Sequence, residues 1–297
     1  MVPIPTALVG MTVEPLQHQV DERWTMAYAA SLDDYQPYYL DTTSDDGVVA
    51  HPLFSVCPEW PVIVSSRVLT TELGVSREEV IAGVHATHDV ELHRLIRPGD
   101  LLTTSLEMVG VVDKSPGAMS TTRLVTVDAD GQPVVTTTQN GIHLGVRTEG
   151  EDHPDVDGPG PVPGQERIGD PFEVKVPIGA GAAHTYTECA RIWNPIHTDK
   201  AVALAAGLPD IILHGTANLA HGVTAIVNHR AGGRPDLVRR ITCRFAAMVL
   251  MPSTLTVRIW HANDTGDGRH TVPFEVLNGE GAPAVKDGLL VLGEPAP

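Results

Sequence analysis

Two short clusters in the second half of the chain combine residue types that can move protons and hold a developing negative charge. The first runs Ile192-Trp193-Asn194-Pro195-Ile196-His197-Thr198-Asp199, and the second is His214-Gly215-Thr216. His197 is the candidate for general acid–base work, because an imidazole titrates near neutrality and passes a proton in either direction. Asn194 precedes it, placed either to hydrogen-bond the same water or to fix the loop. Gly215 leads into Thr216 to His229, a stretch with helical apolar spacing that ends before Gly232-Gly233. Its amide is expected among the unpaired N–H groups at a helix start, where the positive end of the helix dipole reinforces the donor. A glycine there also lets a reacting carbonyl approach the backbone closely. The plainer reading of Gly215 is a residue that only enables the turn.

These clusters resemble the signature of the MaoC-like, R-specific enoyl-CoA hydratases (the hydratase 2 family), which carry an Asn-Pro-Leu-His-x-Asp pattern followed by Ile-Leu-His-Gly. Asn194, Pro195, His197, Asp199, His214 and Gly215 all match. The resemblance implies an acyl-thioester substrate, bound to CoA or to a carrier protein, and reversible addition of water to an enoyl group. In that chemistry His197 is the acid–base group, Gly215 donates to the thioester oxygen, and Asn194 assists. His214, Ile192 and Trp193 line the substrate site. No cofactor and no metal is called for. One position departs from the pattern: the family's aspartate falls two residues before the Asn, where this chain has Ile192. An isoleucine can neither carry a proton nor hydrogen-bond a water. Three outcomes stay open. Another carboxylate substitutes, with Glu188 the nearest in sequence; His197 works alone; or the site binds acyl groups without turning them over. The activity expected is that of a hydro-lyase. The alternatives are a specialised dehydratase or cyclase of a secondary-metabolite pathway and a non-enzymatic acyl-CoA-binding subunit.

The elements that must position these residues occur twice. Tyr28, Asp34, Gln36, Pro37, Tyr39 and Asp41 parallel Tyr186, Ile192, Asn194, Pro195, His197 and Asp199 at one constant offset, and His51-Pro52 parallels His214-Gly215. Ordered landmarks of this kind indicate an internal duplication. After each cluster comes a helical segment and then alternating β-formers: 84–93, 101–112, 118–128 and 134–144 in the first half, and 240–245, 255–261, 270–277 and 284–292 in the second. That order, with the resemblance, predicts an α+β tandem (double) hotdog fold, each half an antiparallel sheet wrapped around a central helix. Residues 1–147 form the N-terminal unit, 148–166 an acidic Pro/Gly-rich linker, and 167–297 the C-terminal unit with the hydratase-like motif. The N-terminal unit is expected to be non-catalytic. Tyr39 stands at the histidine position, and Pro52 lacks the N–H that Gly215 supplies.

The chain has 297 residues, 42% of them hydrophobic, enough for a substantial core. Its net charge of −17 argues against nucleic acid or an anionic membrane as partner. CoA is itself anionic, so a local basic patch is needed. Arg234, Arg239, Arg240, Arg244 and Arg258 either supply it, with Arg244 the substrate-binding candidate, or form the outward face of strands. Three scattered cysteines and no secretory pattern suggest a reduced, cytoplasmic setting. No CxxC pair is present, so a structural zinc site is not expected. A homodimer is the expected assembly.

Overall fold

The computed structural model describes residues 2–74 and 83–294. The first half contains β1 (Ile4–Pro5), β2 (Leu16–Gln19), α1 (Glu22–Ala30), the single-turn α2 (Pro37–Leu40), α3 (Val56–Glu72), β3 (Val84–Leu92), β4 (Leu101–Lys114), β5 (Gly117–Val127) and β6 (Pro133–Leu144). After β7 (Thr148–Glu149) the order repeats: β8 (Phe172–Ile178), α4 (Ala182–Ala190), α5 (Lys200–Ala205), α6 (Gly215–Arg230), β9 (Val238–Phe245), β10 (Ser253–Ile259), β11 (Asn263–Asp264), β12 (His270–Leu277) and β13 (Pro283–Leu292). The predicted strands and the helix after His214 are all present. Strands β2 and β8, the two edge strands of the sheet, escaped prediction.

Eleven strands form one sheet whose path is β2-β4-β5-β6-β3-β9-β13-β12-β10-β8, with β11 paired to β12. Read outward from the β3–β9 junction, the two sides mirror one another: first the strand after the central helix, then the hairpins, then the edge strand. The junction is antiparallel, from Thr87 opposite Arg244 to Glu91 opposite Arg240. One face carries the helices and the other carries polar side chains, as the alternating burial of β4 shows.

The central helix α6 is buried around most of its circumference, from Ala217 to Val227 with few gaps, as a helix enclosed by a curved sheet must be. Close packing sets one of its residues. A Cβ on Gly222 would stand 2.9 Å from Phe274 on β12, so only glycine lets the helix approach the sheet this far. The two halves meet on the helical side, where the Tyr28 and Tyr186 hydroxyls lie 3.3 Å apart. These two residues are landmarks of the duplication, and their contact marks its local two-fold axis.

The acidic Pro/Gly-rich stretch that joins the halves packs against the sheet. Val162 is buried against Leu289 and Val291. Arg123 grips Asp155 through two bonds of 2.9 and 3.1 Å, and Arg240 donates to the Gly160 carbonyl at 2.9 Å. The segment is a strap across the outer sheet face, roofing a cavity of about 520 Å³ lined by threonines and by the Arg240–Asp89 pair.

Candidate active site

The His197 cluster is built by the end of α4 and the turn that follows. Arg191 caps α4 in the left-handed region at φ 58°, an unfavourable conformation for a long side chain that reverses the backbone. Asp33, its counterpart in the first half, has φ 54°. The residue after each cap therefore turns inward: Ile192 and Asp34 are buried at 5% and 2% exposure. The shared reversal shows that Ile192 and Asp34 occupy equivalent places. Pro195 then opens a 3₁₀ turn over Pro195–His197, in which the His197 amide donates to the Asn194 carbonyl at 3.1 Å. Asp199 caps α5 through the amides of Ala201 and Val202 at 2.9 and 3.2 Å. The motif's Asp is thus a helix cap, and Asn194 acts through its backbone.

This turn delivers the His197 ring, 8% exposed, onto the His214 ring, with centroids 3.7 Å apart at 26°. His197 Nδ1 lies 2.8 Å from the Ile212 carbonyl, which can only accept. The neutral ring therefore carries its proton on Nδ1 and its lone pair on Nε2. Burial depresses the His197 pKa to about 4, with the Ile212 carbonyl opposing the shift. His214 is lowered well below the usual range by burial and by the neighbouring His197. Both rings are neutral at pH 7. His214 Nε2 lies 3.2 Å from Thr187 Oγ1, and Tyr186 packs on the same ring and donates to Thr216 Oγ1 at 3.1 Å.

His214 is the extended residue just before α6, so Gly215 begins the helix and its amide is unpaired by the helix itself. A Cβ on Gly215 would lie 3.2 Å from Phe245 Cδ1, a second reason for glycine there. A neutral base, a helix N-terminus and a close backbone approach thus converge. The structure brings His197, His214, Gly215 and Ile192 together.

It does not bring in the other candidates. Trp193 turns outward and is 61% exposed, because the residue after an inward-facing one in this irregular turn faces solvent. Arg244 lies opposite Thr87 on the outer sheet face and pairs with Asp287 at 3.3 Å, whereas the adjacent Phe245 faces Gly215. Strand alternation puts Arg244 on the wrong side of the sheet for this site. The anticipated basic patch is likewise spent on local partners: Arg234 on Asp236, Arg240 on Asp89, Arg258 on Glu173 and Glu275, and Arg239 on backbone carbonyls. Glu188 is exposed on α4 and does not replace the missing carboxylate.

The first half forms a separate cluster. Leu53 N–H donates to His51 Nδ1 at 3.1 Å, so His51 Nε2 must carry the proton and donate to Thr224 Oγ1 at 3.2 Å. Thr224 in turn donates to Asp34 Oδ2 at 2.8 Å. Gln36 reaches Asn228 at 3.0 Å. Asp34 is therefore bound to the middle of α6, away from its N-terminus, and both His51 nitrogens are engaged. Sequence reasoning missed Thr224 and Asn228 because they meet Asp34 and Gln36 only across the interface of the halves.

Comparison with known proteins shows what the chain is similar to. Residues 165–281 match the MaoC like domain, and residues 7–137 match the FAS1-like dehydratase domain region. The peroxisomal multifunctional enzyme type 2 of Drosophila melanogaster is 26% identical over 239 residues, which is 80% of this chain but only 40% of that enzyme. Enoyl-CoA hydratase ChsH3 of Mycobacterium tuberculosis is 26% identical over 250 residues, covering 84% of this chain and 83% of its own. The MaoC-like dehydratase of Phytophthora capsici superposes with a TM-score of 0.77 at 20% identity over 98% of each chain. A Mycobacterium tuberculosis protein described as a double hotdog superposes at 0.63. The chain is a MaoC-like double-hotdog protein, with a MaoC-like domain in its second half and a FAS1-like dehydratase region in its first.

Proposed function

We propose that the protein is a hydro-lyase that interconverts an enoyl thioester and its 3-hydroxyacyl form, using the C-terminal site. The observation that carries this reading is the neutral His197, its lone pair on Nε2, held beside the unpaired amide of Gly215. Water oxygen bonds to C3 while His197 Nε2 takes one of its protons. The C2=C3 electron pair moves toward the thioester carbonyl, whose oxygen is held by the Gly215 N–H and the helix dipole. The enolate collapses as His197 returns the proton to C2, and the dehydration direction reverses each step.

The names of the related hydratase and of a related 3-hydroxyacyl-thioester dehydratase support this class of reaction. The buried Ile192 favours a second reading, acyl-thioester binding without turnover, since it leaves His197 without a carboxylate partner. A homodimer accepting CoA thioesters is the form we infer for the working protein. Hydration of crotonyl-CoA, followed by loss of enoyl absorbance, tests the proposal. His197→Ala should lower the rate by at least about 10²-fold, the low end for an acid–base group. A folded wild-type protein that binds CoA thioesters but hydrates none of several chain lengths would establish the second reading instead.

A further inference from the structure

The first turn of α6 holds a second donor beside the Gly215 amide. Gly215 and Thr216 are half-buried, whereas residues 217–223 behind them are all buried. The helix therefore meets the accessible site through these two residues. A helical Cα–Cβ bond tilts toward the N-terminus, so the Thr216 side chain leans back toward the end at which the Gly215 N–H points. Thr216 Oγ1 accepts from the Tyr186 hydroxyl at 3.1 Å. Tyr186 packs on the His214 ring at 4.9 Å between centroids, and His214 stacks on His197 at 3.7 Å. The Thr216 hydroxyl thus lies on the side of the helix end from which His197 approaches.

The hydrogens along this chain of hydroxyls run toward the site. Tyr186 has a single hydrogen and gives it to Thr216, so toward Tyr28 its oxygen can only accept. Tyr28 shares its own hydrogen between Tyr186 and the Leu53 carbonyl, each 3.3 Å away. Burial raises the pKa of both phenols, so both stay protonated and able to donate. The relay runs from Tyr28 to Tyr186 to Thr216, and the Thr216 hydrogen ends it with no acceptor among the described residues. Each donated bond polarises the next hydroxyl, which makes the terminal O–H a stronger donor. The duplication supplies an internal control. Leu53 stands where Thr216 does, as Pro52 stands where Gly215 does, and Tyr28 reaches only the Leu53 backbone. The half whose proline removes the backbone donor also lacks the hydroxyl.

We propose that Thr216 is a catalytic residue: its hydroxyl donates a second hydrogen bond to the thioester oxygen, beside the Gly215 N–H, and Tyr186 is the positioning residue that aims it. The negative charge that gathers on that oxygen as water adds to C3 is then shared by two donors, and both bonds strengthen as the charge develops. Thr216 transfers no proton. This rests on the acyl-thioester reading above.

The test pairs hydration of crotonyl-CoA by the full chain with the infrared carbonyl stretch of bound butyryl-CoA, a saturated thioester that cannot react, isotope-labelled at its carbonyl carbon. Thr216→Val keeps the shape and removes the hydroxyl. It should lower kcat about 10²-fold, the low end for losing one oxyanion donor, with KM within a few-fold of wild type. It should also move the bound carbonyl stretch back toward that of free butyryl-CoA. Thr216→Ser should restore both. Tyr186→Phe should lower kcat roughly threefold to tenfold, the worth of one neutral hydrogen bond, and adding it to Thr216→Val should lower kcat no further, since its effect passes through that hydroxyl. A threonine that only ties α6 to Tyr186 would lower the melting temperature of Thr216→Val and leave kcat and the carbonyl stretch as in wild type. That result in folded protein overturns the proposal and leaves the acyl-thioester reading intact. If Thr216→Val does not fold, Thr216→Ala decides by the same two measurements. A wild type that binds butyryl-CoA but hydrates no enoyl-CoA overturns the hydro-lyase reading, and a carbonyl shift lost in Thr216→Val then still supports the Thr216 contact. Failure of wild type to bind butyryl-CoA overturns both.

Discussion

The pH dependence of hydration is a direct test of how His197 is held. The ring is 8% exposed and stacked on a second neutral imidazole, so forming the imidazolium means charging a group that water scarcely reaches. That cost exceeds the help from the Ile212 carbonyl, and the pKa falls to about 4. The sign follows: the neutral form, which is the competent base, persists as pH falls through the ordinary histidine range. At pH 5.5 a group titrating at about 4 is about 97% neutral, whereas one at about 6.5 is only about 9% neutral. The ratio of kcat/KM at pH 5.5 to that at pH 7.5 should therefore be near 1 and not near 0.1, because kcat/KM reports the free enzyme. The assay is initial-rate hydration of crotonyl-CoA well below KM, with the fold checked by circular dichroism at each pH. An acid limb centred between 6 and 7 in folded protein would refute the argument, showing either that His197 is solvated or that another group is the base.

Ile192→Asp restores a carboxylate at the place equivalent to Asp34 and should raise or create hydratase activity. A folded variant with no change across several enoyl-CoA lengths would show that the site's chemistry is different. Tyr39→Phe should leave turnover within a few-fold of wild type, since Tyr39 belongs to the cluster that holds His51 and Asp34; a loss like that of His197→Ala would mean that the halves form one composite site. Glu59 on α3 is buried, accepts from Thr137 at 2.6 Å, and has its pKa raised to about 7 by burial. A raised carboxyl favours folding when protonated, so this stability is lost as pH climbs from about 4.5 to about 7, by about 3 kcal/mol for a shift near 2.5 units. Glu59→Gln, which keeps the acceptor for Thr137, should match wild type at pH 4 and exceed it at pH 8 in urea unfolding; an equal gain at both would remove titration as the cause.

Much of this protein was legible in its residues, for local reasons. The helix over Gly215–Arg230 and eight of the long strands follow from apolar periodicity, which depends only on near neighbours. The duplication followed from landmarks such as Tyr28 and Tyr186, and the shared left-handed caps at Asp33 and Arg191 show that the landmarks mark equivalent backbone. His197, His214, Gly215 and Ile192 lie within one short span of chain, so their meeting could be anticipated. What the tertiary structure alone decided are relations between distant segments and between the two sides of a strand. Arg244 left the site because strand alternation turned it to the outer face, where Asp287 awaited it. The Pro/Gly-rich strap acquired a role only once the sheet beneath it offered Arg123, Arg240 and an apolar patch for Val162. Asp34 and Thr224 lie far apart in sequence and are joined by the packing of one half on the other. His88 reads in sequence as one more residue of an alternating strand; its burial against Phe245, a residue far away in the chain, exists only in the packed molecule.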